Sequence, residues 1–195
     1  MTANIKNLIG KAITEAEKDF RSNPFDYLLS EREAQFLVFS KLRKIFSELS
    51  IQSSVQINTS APSYSGSISP VRLELPIKDK KQKPDIIILT KEPKLIYQNH
   101  YEFAEPNSAI EAIIEIKVAW GFVKQILTGT KIKNDLNKIR EIPTVSGGYL
   151  LLFWGSEYSF FTKKQQHFIQ ENLKEWRKWS NNNIYIIFRD QTLSA

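Results

Sequence analysis

"AIIEIKV", Ala112 to Val118, is the stretch whose reading decides the fold. Ile113, Ile114, Ile116 and Val118 are β-branched and favour a strand, yet a glutamate and a lysine interrupt them. Side chains alternate along a strand, so Glu111, Ile113, Glu115 and Lys117 take one face. Ala112, Ile114, Ile116 and Val118 take the other. Glu115 and Lys117 then lie side by side in the C-terminal half of a strand apolar enough to be buried. Burying an unpaired charge is costly, so both groups need partners.

Working upstream, "KPDIIILT", Lys83 to Thr90, places Pro84 and Asp85 directly before another run of branched apolar residues. If these two core strands pair, each contributes a carboxylate beside an ammonium group. Such carboxylates are hard oxygen ligands for Mg2+, which retains waters and adds phosphate oxygens. A bound metal stabilises charge on a phosphate and lowers the pKa of its water, and a neighbouring lysine holds that water or neutralises developing charge. Acid-x-Lys triplets also occur at Asp79-Lys80-Lys81 and Glu92-Pro93-Lys94, both in polar turns. Only Glu115-Ile116-Lys117 interrupts a β-branched strand and follows a "PD" that opens one.

With "PD" at Pro84-Asp85 and "EIK" at Glu115-Ile116-Lys117, the chain resembles the PD-(D/E)xK nuclease superfamily. The resemblance implies a mixed central β-sheet flanked by helices on both faces, a restriction-endonuclease-like core. It implies one nuclease domain over residues 1–195, with 1–29 as an N-terminal helical extension. Asp85, Glu115 and Ile116 would be metal ligands, Lys117 the catalytic lysine, Mg2+ the cofactor with Mn2+ as substitute, and DNA the partner. The expected activity is restriction-type endonucleolytic hydrolysis leaving a 5′-phosphate. The interval from Asp85 to Glu115 is long for the pattern, which implies an extra strand or loop at Lys91 to Ser108.

The family often adds a glutamate from a helix upstream of the sheet. Here that helix is "SEREAQFLVFSKLRKIFSEL", with Ser30 as N-cap and Glu33 completing a capping box. At 100° per residue, Glu31 falls within the arc of Ala34, Val38, Ile45 and Leu49, and Glu33 falls outside it. Glu31 is therefore the candidate, beside the plainer reading of a first-turn acid favoured by the helix dipole.

The rest of the chain reads as an amphipathic helix at Ile5 to Arg21, short strands from Ile51, and a polar loop over "TSAPSYSGSISP". "VRLELPI" alternates, "KLIYQ" suits a strand, and "KIKNDLNKIREI" carries Ile132, Leu136 and Ile139 at helical spacing. "GGYLLLFWG" reads as a buried strand, "KKQQHFIQENLKEWRKW" as an amphipathic helix and "NIYIIFRD" as a closing strand. The last three strands alternate with helices and are expected to be parallel.

Lys131, Lys133 and Lys138 follow the central strand and are candidate phosphate contacts, with Asp135 and Glu141 diluting their charge. Trp120 and Gly121, just after that strand, and the turn "KDKKQK" are weaker candidates. The 195-residue chain carries 27 Lys and Arg against 21 Asp and Glu, a net charge of +6 that favours a polyanionic partner. It has no cysteine, which excludes disulfides, thiolate zinc sites and cysteine nucleophiles. His100 and His167 are not at ligand spacing. With no signal peptide and no apolar run long enough to span a bilayer, a soluble cytoplasmic protein without membrane association is expected. A duplex cutter of this size suits a homodimer with one site per strand. The alternatives are the same site acting on RNA or on DNA ends and junctions, and a non-catalytic nucleic-acid-binding or assembly module.

Overall fold

The strand that carries Glu115 runs through the interior of a six-stranded sheet. The computed structural model describes residues 2–22, 30–47, 51–57, 63–68, 70–75, 83–89, 94–98, 101–104, 110–119, 123–180 and 183–194. Two helices come first, α1 (Thr2–Ser22) and α2 (Glu31–Ile45), followed by strands β1 (Ile51–Ile57), β2 (Ser63–Ile68), β3 (Val71–Leu73) and β4 (Ile86–Leu89). Then come β5 (Lys94–Gln98), β6 (Tyr101–Ala104), the central β7 (Ile110–Ala119), the short α3 (Val123–Leu127) and α4 (Thr130–Glu141). β8 (Gly148–Trp154), α5 (Lys163–Ser180), β9 (Asn183–Ile187) and β10 (Thr192–Ser194) complete the described elements.

The large sheet has the order β10-β9-β8-β7-β4-β3. β7, β8 and β9 are mutually parallel, as expected from the helices between them, and the pairs β4–β7, β3–β4 and β9–β10 are antiparallel. The result is a mixed sheet with helices on both faces. Alternation along β7 explains the layering. Ile114 and Ile116 join a core with Ile9, Ile13 and Phe20 of α1 and with Leu37, Val38 and Leu42 of α2. On the opposite face Ile113 joins Leu127 of α3, Leu136 and Ile139 of α4, and Ile169, Leu173 and Trp176 of α5. Residues 2–22, expected as an extension, thus bury one full face on the sheet, and Phe20 meets Phe153 edge-on at 5.2 Å.

Four features differ from the sequence reading. A second, four-stranded sheet of order β2-β1-β5-β6 accompanies the first. β2 lies in the segment expected to be a polar loop: Ser63–Ile68 pairs antiparallel with β1, from Ile51↔Ile68 to Gln56↔Ser63. Its small polar residues give little strand propensity, and the pairing with β1 supplies the structure instead. The β9 strand does not close the sheet, because the chain turns back into β10 at the edge. Strict alternation along β7 also fails at its start. A register shift between Ile88 and Leu89 sets Leu89 opposite Ile110 and Ile88 opposite Ala112, so Ile110 and Ile113 share one core although three residues apart. The extra segment expected at Lys91 to Ser108 contains the β5–β6 hairpin of the second sheet.

Among the described residues no helix is long and apolar enough to cross a membrane. Layering by β7 makes its apolar side chains the most sensitive to truncation. Ile114→Ala, at a fully buried position, is expected to lower unfolding free energy by about 2–5 kcal/mol. Phe36→Ala, at a position 63% exposed, is expected to stay within about 0.5 kcal/mol. Urea denaturation of both variants checks the contrast.

Candidate active site

β4 begins at Ile86, opposite Ile114 of β7, so Asp85 enters beside Glu115 rather than deep within the sheet. Beyond that point β7 has no β4 residue beside it, and the backbone N–H of Ile116 is open on this edge. Asp85 closes it: Oδ2 accepts from Ile116 N at 2.7 Å. The main-chain oxygen of Asp85 accepts from Glu74 N at 2.8 Å. Glu74 holds a left-handed backbone (φ 48°), unusual for a residue with a side chain, and pairs with Lys83 at 2.6 Å. Both ends of Asp85 are therefore fixed by the backbone of neighbouring elements.

Glu115 and Lys117 lie on the α4 side of β7, two residues apart. Glu115 is completely buried. Its Oε2 accepts from Lys138 Nζ at 2.7 Å, while Oε1 is buried without a hydrogen-bond partner among the described residues. Lys117 Nζ bonds Glu31 Oε1 at 2.8 Å and lies 3.3 Å from Asp135 Oδ2. Lys138 also approaches Asp135 Oδ1 at 3.5 Å and the Lys83 carbonyl oxygen at 3.5 Å. Glu31 belongs to the helix packed on the opposite face. It reaches Lys117 past the open edge of β7, where β4 has not yet begun.

Glu31 is held there by the start of its helix. Ser30 caps α2 through Oγ, accepting from Glu33 N at 3.2 Å, and its hydroxyl donates to the Glu33 carboxylate. Glu33 is thereby engaged in the cap and Glu31 is left to turn toward β7. The first-turn acid reading also holds geometrically, since both glutamates lie in the first turn.

Four carboxylates, those of Glu31, Asp85, Glu115 and Asp135, are served by two ammonium groups, those of Lys117 and Lys138. With every group ionised, two negative charges are left over. Burial first, and then the adjacent Asp85 charge, raise the pKa of Glu115 to about 8 against the opposing Lys138 pairing. Burial also raises Asp85, against its Ile116 hydrogen bond and the two lysines. For Lys117 burial acts downward, but the Glu31 hydrogen bond and the Asp135 charge outweigh it and hold the pKa above its ordinary value. Lys138 is raised in the same way, its pairing with Glu115 overcoming burial.

The structure thus gathers Asp85, Glu115, Lys117 and Glu31, and adds Lys138, expected only as a phosphate contact. Lys131 and Lys133 are exposed on α4 and join no part of the cluster. Trp120, Gly121, Leu49, His100 and the turn residues 78–82 lie outside the described residues. Asp135, read from sequence as charge dilution, is 6% exposed and links the two lysines. A signal for it existed: it stands three residues after Ile132 and four before Ile139, inside the apolar arc of α4.

The oxygen donors suited to a divalent cation are the carboxylates of Asp85 and Glu115 and the main-chain carbonyl of Ile116. The unpartnered Glu115 Oε1 and the excess negative charge fit such an ion. Among the described residues, however, no three His, Cys, Asp or Glu side chains are grouped as ligands of one metal. The fit therefore rests on two carboxylates and a main-chain oxygen, which fall short of such a group.

No protein-family model matches the chain, and no curated protein or solved structure gives a significant match. The site's reading depends on its own chemistry, of which Glu115 gives a direct check. A carboxyl whose pKa is higher folded than unfolded favours the folded state when protonated, and that advantage is lost as pH rises from 4.5 through about 8. Glu115→Gln removes the loss. In chelator, its melting temperature relative to wild type is expected to climb between pH 5 and pH 8. A difference that does not change with pH across that window would contradict the burial of an ionisable Glu115.

Proposed function

We propose that this chain is a divalent-metal-dependent nuclease that hydrolyses phosphodiester bonds of DNA, built on a restriction-endonuclease-like core. The observation that carries the reading is the charge balance around β7 among the described residues: a buried carboxyl with one unpaired oxygen, a second carboxyl beside it and, with every group ionised, an excess of two negative charges. A stable fold does not require that arrangement, and a cation binding to phosphate would complete it. The "PD" and "EIK" residues of the superfamily pattern are the ones involved.

Asp85 and Glu115, with the Ile116 carbonyl, would hold Mg2+ or Mn2+. When bound, such an ion stabilises charge on the phosphate and makes a water more acidic. Lys117 is kept as an ammonium by two carboxylates, at 2.8 and 3.3 Å, so it acts as a hydrogen-bond donor and fixed positive charge rather than as a base. It orients the attacking water for in-line displacement and offsets the charge that develops on the phosphate. Glu31 and Asp135 position Lys117. Attack at phosphorus with departure of the 3′-oxygen leaves a 5′-phosphate. Exposed Lys131 and Lys133 suit phosphate contacts along the duplex, and cutting both strands calls for two copies with one site each.

A second reading draws on a specific observation: among the described residues no three ligating side chains converge, and both lysines already pair with carboxylates. On that reading the cluster is a structural ion-pair network in a non-catalytic nucleic-acid-binding module.

Cleavage of supercoiled plasmid separates the two. Wild type with Mg2+ or Mn2+ is expected to nick or linearise the plasmid, and EDTA to stop it. Asp85→Ala and Lys117→Ala are each expected to lose roughly 100-fold or more in rate. If Lys117→Ala cut as fast as wild type, the assignment of "EIK" would be wrong. DNA binding that is unaffected by chelator, without cleavage, would support the non-catalytic module.

A further inference from the structure

Lys138 differs from the other lysines of α4. Lys131 and Lys133 are exposed, whereas Lys138 turns inward and its ammonium meets three oxygens. These are Glu115 Oε2 at 2.7 Å, Asp135 Oδ1 at 3.5 Å and the main-chain oxygen of Lys83 at 3.5 Å. They come from three separate elements: the central strand, α4, and the segment that leads into Asp85. An all-oxygen environment of two carboxylates and a carbonyl is what a hard divalent cation takes. Glu115, wholly buried, adds an independent sign, since its second oxygen has no hydrogen-bond partner among the described residues and an ammonium on one side does not satisfy it.

We propose that Lys138 is the built-in placeholder of the cation position that Glu115 shares with Asp85, neutralising Glu115 in the metal-free chain and leaving when the ion arrives. The inference rests on the reading of the site as a cation site and names how that site is regulated. The Lys138 side chain is 22% exposed, so its stem already reaches the surface and a rotamer change suffices to withdraw the amine into solvent. Once withdrawn, it stands on the α4 face with Lys131, available to a phosphate. Cation binding and phosphate contact are thereby coupled: the ion that completes Glu115 also frees a positive charge for the substrate. Asp135 stays behind as the fixed element, held by Lys117 at 3.3 Å.

A placeholder competes with the ion it imitates, so its removal must tighten ion binding even in the absence of nucleic acid. Titration calorimetry with MnCl2 alone is the test, on the full chain. Lys138→Gln is expected to bind Mn2+ about tenfold tighter than wild type, given the strength of a unit charge at such close range. Lys131→Gln removes the same charge from the exposed side of the helix and is expected to change affinity by less than about twofold. Equal or weaker Mn2+ binding by Lys138→Gln would overturn the placeholder while leaving the cation reading intact. No Mn2+ binding by either protein would overturn both.

Lys138→Gln also strips Glu115 of its partner and risks the fold, so wild type provides a second measurement. Amine acetylation followed by mass spectrometry reports how freely each lysine reacts. Saturating Mn2+ is expected to raise labelling of Lys138 severalfold and to leave Lys131 unchanged. Lys138 labelling that stays level or falls on Mn2+ addition would contradict the displacement.

Discussion

The burial of one carboxylate, that of Glu115, is the constraint on which the rest of the site depends. It sits on an interior strand, flanked by β4 and β8, with no exposed surface. A carboxylate there loses its water and regains one ammonium contact, which leaves an oxygen bare. Asp85, brought alongside by the β4–β7 register, makes ionisation harder still. Well-packed apolar residues would serve the core equally well or better. The groups around Glu115 are arranged to tolerate a charge that packing alone would not place there.

Tolerance comes from both faces of the sheet because β4 is short. Before β4 begins at Ile86, β7 continues without a β4 partner on that side, and this gap lets side chains of α2 and α4 meet at Lys117. From one face α2 sends Glu31, fixed by the Ser30 cap. From the other α4 sends Asp135 and Lys138. The two hydrophobic cores, on opposite faces of the sheet, hold these helices in register with β7, so the ion pairs ride on packing rather than substitute for it. The left-handed backbone of Glu74 belongs to the same design: its N–H secures Asp85 at the mouth of β4.

Much of this was legible in the sequence, for identifiable reasons. The period of two in "AIIEIKV" predicted which β7 residues share a face, because both faces are buried and a one-residue slip would reverse them. The helical arc singled out Glu31, and alternation of helix and strand foretold the parallel β7, β8 and β9. Other features depend on distant partners. β2 is a strand through its pairing with β1, although "SYSGSI" has the composition of a loop, and β10 is a three-residue edge strand paired with β9. Asp135 was legible but passed over, since an acid among lysines reads as dilution until it is placed on the helical wheel. The inward turn of Lys138 was not legible: a lysine on an amphipathic helix reads as solvated unless its partner, Glu115, is known to be buried.

Diffraction from crystals soaked in MnCl2, with anomalous differences measured near the manganese edge, tests the central claim most directly. The expected result is a manganese peak bonded to Asp85 and Glu115, with the Lys138 ammonium withdrawn from Glu115. Saturating Mn2+ that leaves no anomalous peak at these carboxylates, and Lys138 still bonded to Glu115, would contradict it and leave the cluster as a structural ion-pair network.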